Sequence, residues 1–172
     1  MPKLATHPIA CRPHNHAICV DKAMAAARSA CEDAGVRLTP MREQVLFLVW
    51  QSHKPLGAYD IIDQLSRQMS LEGKRSKVIA PPTVYRALEF LQAQGLVHRI
   101  ASLNAFVGCS IQGSDHISQF LLCRDCGIAI EMESDAIDQA IRQNASSYGF
   151  SIDTETIEIM GCCVSCRSKR RS

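Results

Sequence analysis

Apolar positions recur at helical spacing through the first half of this chain and switch to short alternating runs in the second. Residues 1–20 carry Pro2, Pro8 and Pro13 and little periodicity, which predicts a mobile tail. Asp21 is placed to cap a helix running through an Ala-rich stretch to Gly35. Thr39-Pro40 opens a second helix through Trp50, with Met41, Val45, Leu48 and Val49 on one face. A third follows Gly57, with Ile61, Ile62, Leu65 and Met69 at helical spacing. Residues 70–80 are polar and basic, a loop. Pro81-Pro82-Thr83 starts a fourth helix, with Thr83 as the expected cap, and Gly95 ends it. Its buried stripe is Val84, Ala87, Leu88 and Leu91; Tyr85, Arg86 and Glu89 fall on the outward side.

Residues 97–101 and 105–109 then read as a hairpin around Ser102-Leu103-Asn104. Helices followed by a hairpin make a winged helix-turn-helix. Beyond it, Phe120–Cys123 and Ile128–Met132 are short strands around the turn Arg124-Asp125. Ser134 caps a helix to about Tyr148, with Ile137, Ala140 and Ile141 on one side. The alternation through Phe150–Met160 predicts a long half-buried strand. The fold class is therefore α+β, in four parts. Residues 1–20 are the tail, 21–108 a winged-helix domain, 109–166 a small α/β domain, and 167–172 a basic tail. The second domain is too small to stand robustly alone, which favours a metal staple or dimerisation.

Charge sharpens this division. The net charge of +2 over 172 residues conceals an uneven distribution. Residues 21–108 hold 11 Lys/Arg against 8 Asp/Glu, whereas residues 109–166 hold 2 against 9. Only the first half suits a polyanion such as DNA. No apolar run is long enough for a membrane, and the N-terminus lacks an apolar signal core, so a cytoplasmic protein is expected.

The nine cysteines carry the chemistry. An odd number, with no secretory signal, points to metal in a reducing compartment rather than to disulfides. Cys123-x-x-Cys126 and Cys163-x-x-Cys166 can enclose one zinc ion, and Gly127 eases the turn of the first pair. The 36 residues between Cys126 and Cys163 exceed zinc-ribbon spacing, so the pairs must meet through the fold. A Cys162-x-x-x-Cys166 pairing is the less regular alternative. A redox pair is the rival chemistry, but it belongs at a helix N-terminus, and Cys123-Cys126 lies between two strands. Cys31 reads as a small core residue. Cys11, His14, His16 and Cys19 form an N-terminal cluster that either holds metal loosely or falls together by chance. No triad, phosphate loop or catalytic carboxylate pair emerges, so no enzyme activity and no small-molecule substrate are assigned.

The run Pro81-Pro82-Thr83-Val84-Tyr85-Arg86-Ala87-Leu88-Glu89-Phe90-Leu91, followed by Gly95-Leu96-Val97-His98, resembles the ferric uptake regulator superfamily. So does the C-x-x-C-G knuckle with its distal C-x-x-C. The likeness spans about residues 22 to 166 and is greatest with the zinc uptake regulator branch. It implies a repressor that binds operator DNA as a homodimer, and two zinc ions per chain. Cys123, Cys126, Cys163 and Cys166 match that branch's structural zinc site; His98, Cys109, His116 and Glu131 match its regulatory site. The thiolate of Cys109 favours zinc over iron. On DNA, Arg86 is the expected purine reader. Thr83 and Tyr85 accompany it, and Tyr59, Lys74, Arg75 and Lys77 grip phosphate. Tyr85 in the core is the alternative. Asp63 and Arg67 are expected to pair within the third helix rather than between chains. The rival readings are another metal or peroxide sensor on the same scaffold, a zinc-stapled module without sensing, and a C-x-x-C redox enzyme.

Overall fold

The computed structural model describes residues 15–71, 79–110 and 118–170. Two three-stranded sheets, each with its own helices, divide the chain. The first part holds α1 (His16–Asp33), α2 (Pro40–Trp50), β1 (Leu56–Gly57), α3 (Ala58–Leu71), α4 (Pro81–Ala93), β2 (Val97–Ile100) and β3 (Ala105–Gly108). The second holds β4 (Ser118–Cys123), β5 (Ala129–Met132), α5 (Asp135–Ser147), β6 (Thr156–Gly161) and α6 (Val164–Lys169).

The four helical stripes close on one another. Val45, Leu48, Val49, Ile61, Leu65, Val84, Leu88 and Leu91 form one core with Cys31, Trp50 and Phe106, and Met41 and Met69 pack at its edge. Gly35 and Gly95, both at φ +64°, end α1 and α4 in the left-handed conformation that other residues resist. β2 and β3 pair antiparallel from Val97↔Gly108 to Ile100↔Ala105. The turn between them is a 3-10 turn at Ala101–Leu103, closed by Asn104 at φ 46°. The wing gains a third strand the sequence did not announce, β1 on the outer edge of β3. Two residues are too few for alternation to show.

Local chemistry corrects two expected caps and one strand. α1 begins at His16, ahead of Asp21, because the Asn15 side chain accepts from the Ala17 amide and supplies the cap. The helix thus takes in His16 and Cys19, while Cys11 and His14 lie outside the described residues. Thr83 does not cap α4. Ala80 is the N-cap, the two prolines fill the first helical positions, and the Thr83 amide already bonds to the Ala80 carbonyl at 2.9 Å. The long strand over Phe150–Met160 is confined to β6, Thr156–Gly161. β6 pairs parallel with β4 from Ser118↔Thr156 to Cys123↔Gly161, and among the described residues no strand pairs with residues 150–155.

In the second sheet β4 is central, between β5 and β6, with α5 as the crossover between the parallel pair. Alternation divides its faces. Ser118, Phe120 and Leu122, with partners Glu131 and Ala129 on β5 and Glu158 on β6, turn toward the wing. Phe120, Leu122 and Ala129 join wing residues Ile100 and Val107 in a second apolar cluster. That cluster holds the two halves together and fixes which polar side chains meet at the junction. No helix among the described residues is long and apolar enough to cross a membrane.

Candidate metal centres at the domain junction

The parallel register solves the long gap between the cysteine pairs. Cys123 ends β4 level with Gly161 at the end of β6, so the knuckle and the second pair emerge side by side. The knuckle is closed by the Gly127 amide on the Cys123 carbonyl at 2.8 Å, with Gly127 at φ +73°, and by Arg124 on the Gly161 carbonyl at 3.0 Å. Cys163 caps α6 and Cys166 lies in its first turns, a helix the sequence reading missed because six residues show too little periodicity. The four sulfurs lie within 4.8 Å of one another. Cys126 and Cys163 are 3.8 Å apart, and tetrahedral zinc with Zn–S near 2.3 Å separates its sulfurs by about 3.8 Å. The donor set fits zinc in both chemistry and spacing.

The thiols are unequal. Cys123 accepts the Cys163 amide at 3.3 Å and is lowered to about 6 chiefly by that bond. Cys166 is pushed up, first by its hydrogen bond to Cys163 and then by burial. At Cys126 the Ile128 amide pulls downward, but burial and the neighbouring sulfurs outweigh it and the thiol ends up raised. One thiolate thus forms readily, and a cation is needed to gather the rest. Cys162 turns away. Its Sγ bonds to the Asp125 carboxylate at 2.9 Å, which raises the thiol to about 11. The geometry therefore puts Cys163, not Cys162, with Cys166.

A second cluster spans the two halves. His98 on β2, Cys109 just after β3 and Glu131 on β5 bring ligand atoms within 4.8 Å. His98 Nε2 is 2.8 Å from Glu131 Oε1, and Cys109 Sγ is 3.9 Å from the same oxygen. The Glu131 side chain is only 3% exposed and Cys109 is fully buried. Ser110 holds the other Glu131 oxygen through its amide at 2.7 Å and its hydroxyl at 2.6 Å. His98 Nδ1 meets the Ser118 hydroxyl at 2.9 Å, and Phe120 packs edge-on against the ring. An imidazole oriented by Ser118, a carboxylate oriented by Ser110 and a buried thiol form a donor set suited to zinc. His116 lies outside the described residues.

Sequence reasoning missed Ser118, Ser110 and above all Glu158. From β6, Glu158 accepts the Ala101 amide at 2.6 Å and the Ser102 amide at 3.1 Å, clamping the tip of the wing to the second sheet. The only sequence signal is its alternation with Ile157 and Ile159. Burial raises its carboxyl, but the bonds from Ser102 and Ala101 together win and hold it below the ordinary value near 4.5. A lowered folded-state value stabilises the fold above the unfolded value, and that support is lost as pH falls through the folded value. Hydrogen exchange of the wing amides is expected to quicken as pH drops below about 4.5, after correction for intrinsic rates. Glu158→Gln should flatten that response and loosen the wing tip at neutral pH by about 1 kcal/mol. An unchanged wing in that variant refutes the clamp.

In the first domain Tyr59 is 72% and Tyr85 37% exposed, and Thr83 and Arg86 are also exposed. Tyr85 is therefore not a core residue. Thr83, Tyr85 and Arg86 share the outward face of α4. Lys74, Arg75 and Lys77 lie outside the described residues. Arg67 and Asp63 approach to 3.6 Å along α3, as an i,i+4 pair should.

Residues 33–160 match the profile of the Ferric uptake regulator family. The zinc uptake regulation protein of Escherichia coli strain K12 is 35% identical over 144 residues, 83% of this chain and 80% of that protein. The protein of the same name from Mycobacterium tuberculosis H37Rv is 34% identical over 137 residues, 78% and 98% of the two chains. A zinc uptake regulator complexed with zinc and DNA superposes with a TM-score of 0.79 at 32% identity, covering 89% of this chain and 98% of that one. The holo form of the regulator XcZur does so at 0.75 and 36%, covering 86% and 99%.

Proposed function

Because the chain belongs to the ferric uptake regulator family, we infer that it is a zinc-responsive transcriptional repressor that binds operator DNA as a dimer and controls zinc uptake genes. One observation carries the sensing reading: His98, Cys109 and Glu131 converge from both sides of the domain junction. We assign two zinc ions to each chain. Cys123, Cys126, Cys163 and Cys166 hold the structural ion, and His98, Cys109 and Glu131, with His116, hold the regulatory one. Zinc at the second site supplies a dication that offsets the Cys109 thiolate and the Glu131 carboxylate.

The residues around that site do the rest. His98 anchors the wing, Ser118 orients its ring, and Ser110 holds Glu131 against the chain that leaves β3. With these groups drawn together, the winged helix keeps one angle to the second sheet. Without them the angle relaxes, and fewer molecules present the geometry that DNA selects. Ligand deprotonation also makes the response pH-dependent.

The apolar face of α5 and β6 supports the homodimer. Ile137, Ala140, Ile141 and Ile157 line an open groove of about 870 Å³ bordered by exposed Tyr148 and Phe150. Among the described residues β6 is also a sheet edge, with exposed Ile159 and Met160. A second copy covers such a face and presents two α4 helices to half-sites about one DNA turn apart. Arg86 reads a purine from the major groove, with Thr83 and Tyr85 beside it, while Tyr59 and the Lys74, Arg75 and Lys77 segment grip phosphate. The compartment is the cytoplasm, and no enzymatic step belongs to this reading.

Metal content and operator affinity, measured while free zinc is stepped under reducing conditions, test it. Operator affinity should rise as a labile zinc loads, while a second zinc stays bound. Operator affinity independent of zinc, or iron loading in place of the labile zinc, rules the reading out. Arg86→Ala should weaken operator binding by about 1–3 kcal/mol and relax the preference for one base. Nonspecific DNA binding should fall far less, as paired fluorescence titrations would register.

A further inference from the structure

We propose that His16, Cys19 and His53 form a third metal site, of the zinc class, that fastens α1 to the loop after α2. None of the three belongs to either centre described above, and the assignment does not depend on the count of ions there. Their ligand atoms lie within 4.8 Å of one another, and all three residues are half-buried. Spacing of i,i+3 puts His16 and Cys19 on the same face of α1. His53 comes from the loop between α2 and β1, and its ring lies beside that of His16 at 4.5 Å between centroids.

The His16 ring is oriented for the task. Its Nε2 is 2.7 Å from the Trp50 carbonyl oxygen. A carbonyl only accepts, so Nε2 carries a proton, and in the neutral ring the lone pair falls to Nδ1. A backbone carbonyl on one ring nitrogen is the usual way a ligating histidine is fixed in tautomer and direction. Two imidazoles and a thiolate suit zinc, with the fourth position left to water or an outside ligand. A cleft of about 430 Å³ beside Cys19, Trp50 and His53 gives that position room. With three protein ligands against four thiolates, this site loads after the structural centre.

Its placement gives it reach. The His53 carbonyl accepts the Ala129 amide at 2.9 Å, at the start of β5 and three residues past Cys126. Cys109 and Ser110 line the same cleft as Cys19 and His53. Closing the site therefore ties α1 to a loop already bonded to the second sheet, next to the junction that sets the wing.

Zinc bound by the full chain at saturation, compared between wild type and His53→Asn, tests this directly. The expected result is one equivalent fewer in the variant, whatever the number held elsewhere. The variant keeps the backbone bond to Ala129. Cobalt substitution adds an independent reading: Cys19→Ser should remove one thiolate-to-cobalt charge-transfer contribution while the cysteine-cluster bands remain. Exchange of the α1 amides should slow about tenfold once free zinc passes ten times the dissociation constant of the last equivalent. Equal zinc in wild type and His53→Asn, or cobalt bands unchanged by Cys19→Ser, overturns the site. Failure of zinc-dependent operator binding alone would instead count against the sensing role of the junction.

Discussion

Cys126→Ser is expected to cost the chain its structural zinc and, with it, the ordered second sheet and the dimer. The reason lies in how little else holds that region. α5 buries no residue completely, and the buried side chains of β4 and β5 amount to Phe120, Leu122, Cys123, Ala129 and Gln119. The four sulfurs join the ends of β4 and β6 to the start of α6. A structural zinc contributes about 10–16 kcal/mol of apparent binding free energy at neutral pH. Whole domains are stable by only about 5–15 kcal/mol. Sedimentation and metal analysis should find a monomer lacking one zinc, with a broadened, earlier melt. Cys162→Ser is the matched control. Its thiol bonds to Asp125 and is not one of the four grouped sulfurs, and the variant should keep both metal and dimer. A Cys126→Ser dimer with its full metal content would refute the assignment.

Cys109→Ser should instead separate folding from sensing. The residue is fully buried, so serine replaces sulfur at nearly the same volume and leaves the junction packed. What disappears is the softest ligand among the three donors that the structure brings together. The zinc-dependent gain in operator affinity should fall by about 100-fold, near the upper end of ordinary coupling between two sites. The dimer and the four-cysteine zinc should remain. Operator titrations at matched free zinc measure the first quantity, and sedimentation with metal analysis the second. A normal zinc response in this variant would exclude Cys109 as a regulatory ligand.

How much of this was legible in the chain differs by element. The apolar stripes of α2, α3 and α4 were plain, because a helix facing one core repeats its buried positions every three or four residues. The hairpin and the C-x-x-C-G turn were equally plain, since turns depend on neighbours in sequence. Short pieces were not. β1 and α6 are two and six residues long, and the early start of α1 rests on the Asn15 side chain. The overlong strand expected before Met160 shows the opposite error. Alternation continued through residues 150–155, but among the described residues no strand pairs with them.

The candidate sites divide the same way. By itself the sequence determined the donor types, the pairing of the knuckle cysteines and the outward position of Arg86, all of which follow from local spacing. Only the tertiary structure decided which distant groups share a site. The parallel β4–β6 register brings Cys163 to Cys123 and leaves Cys162 on Asp125. Packing of the wing on Phe120 and Ala129 sets His98 against Glu131 and Glu158 against the wing tip. The closing of α1 on the loop after α2 brings His53 to His16 and Cys19. Each of these meetings joins residues at least 30 positions apart, through strand order and core packing that no local pattern of side chains records.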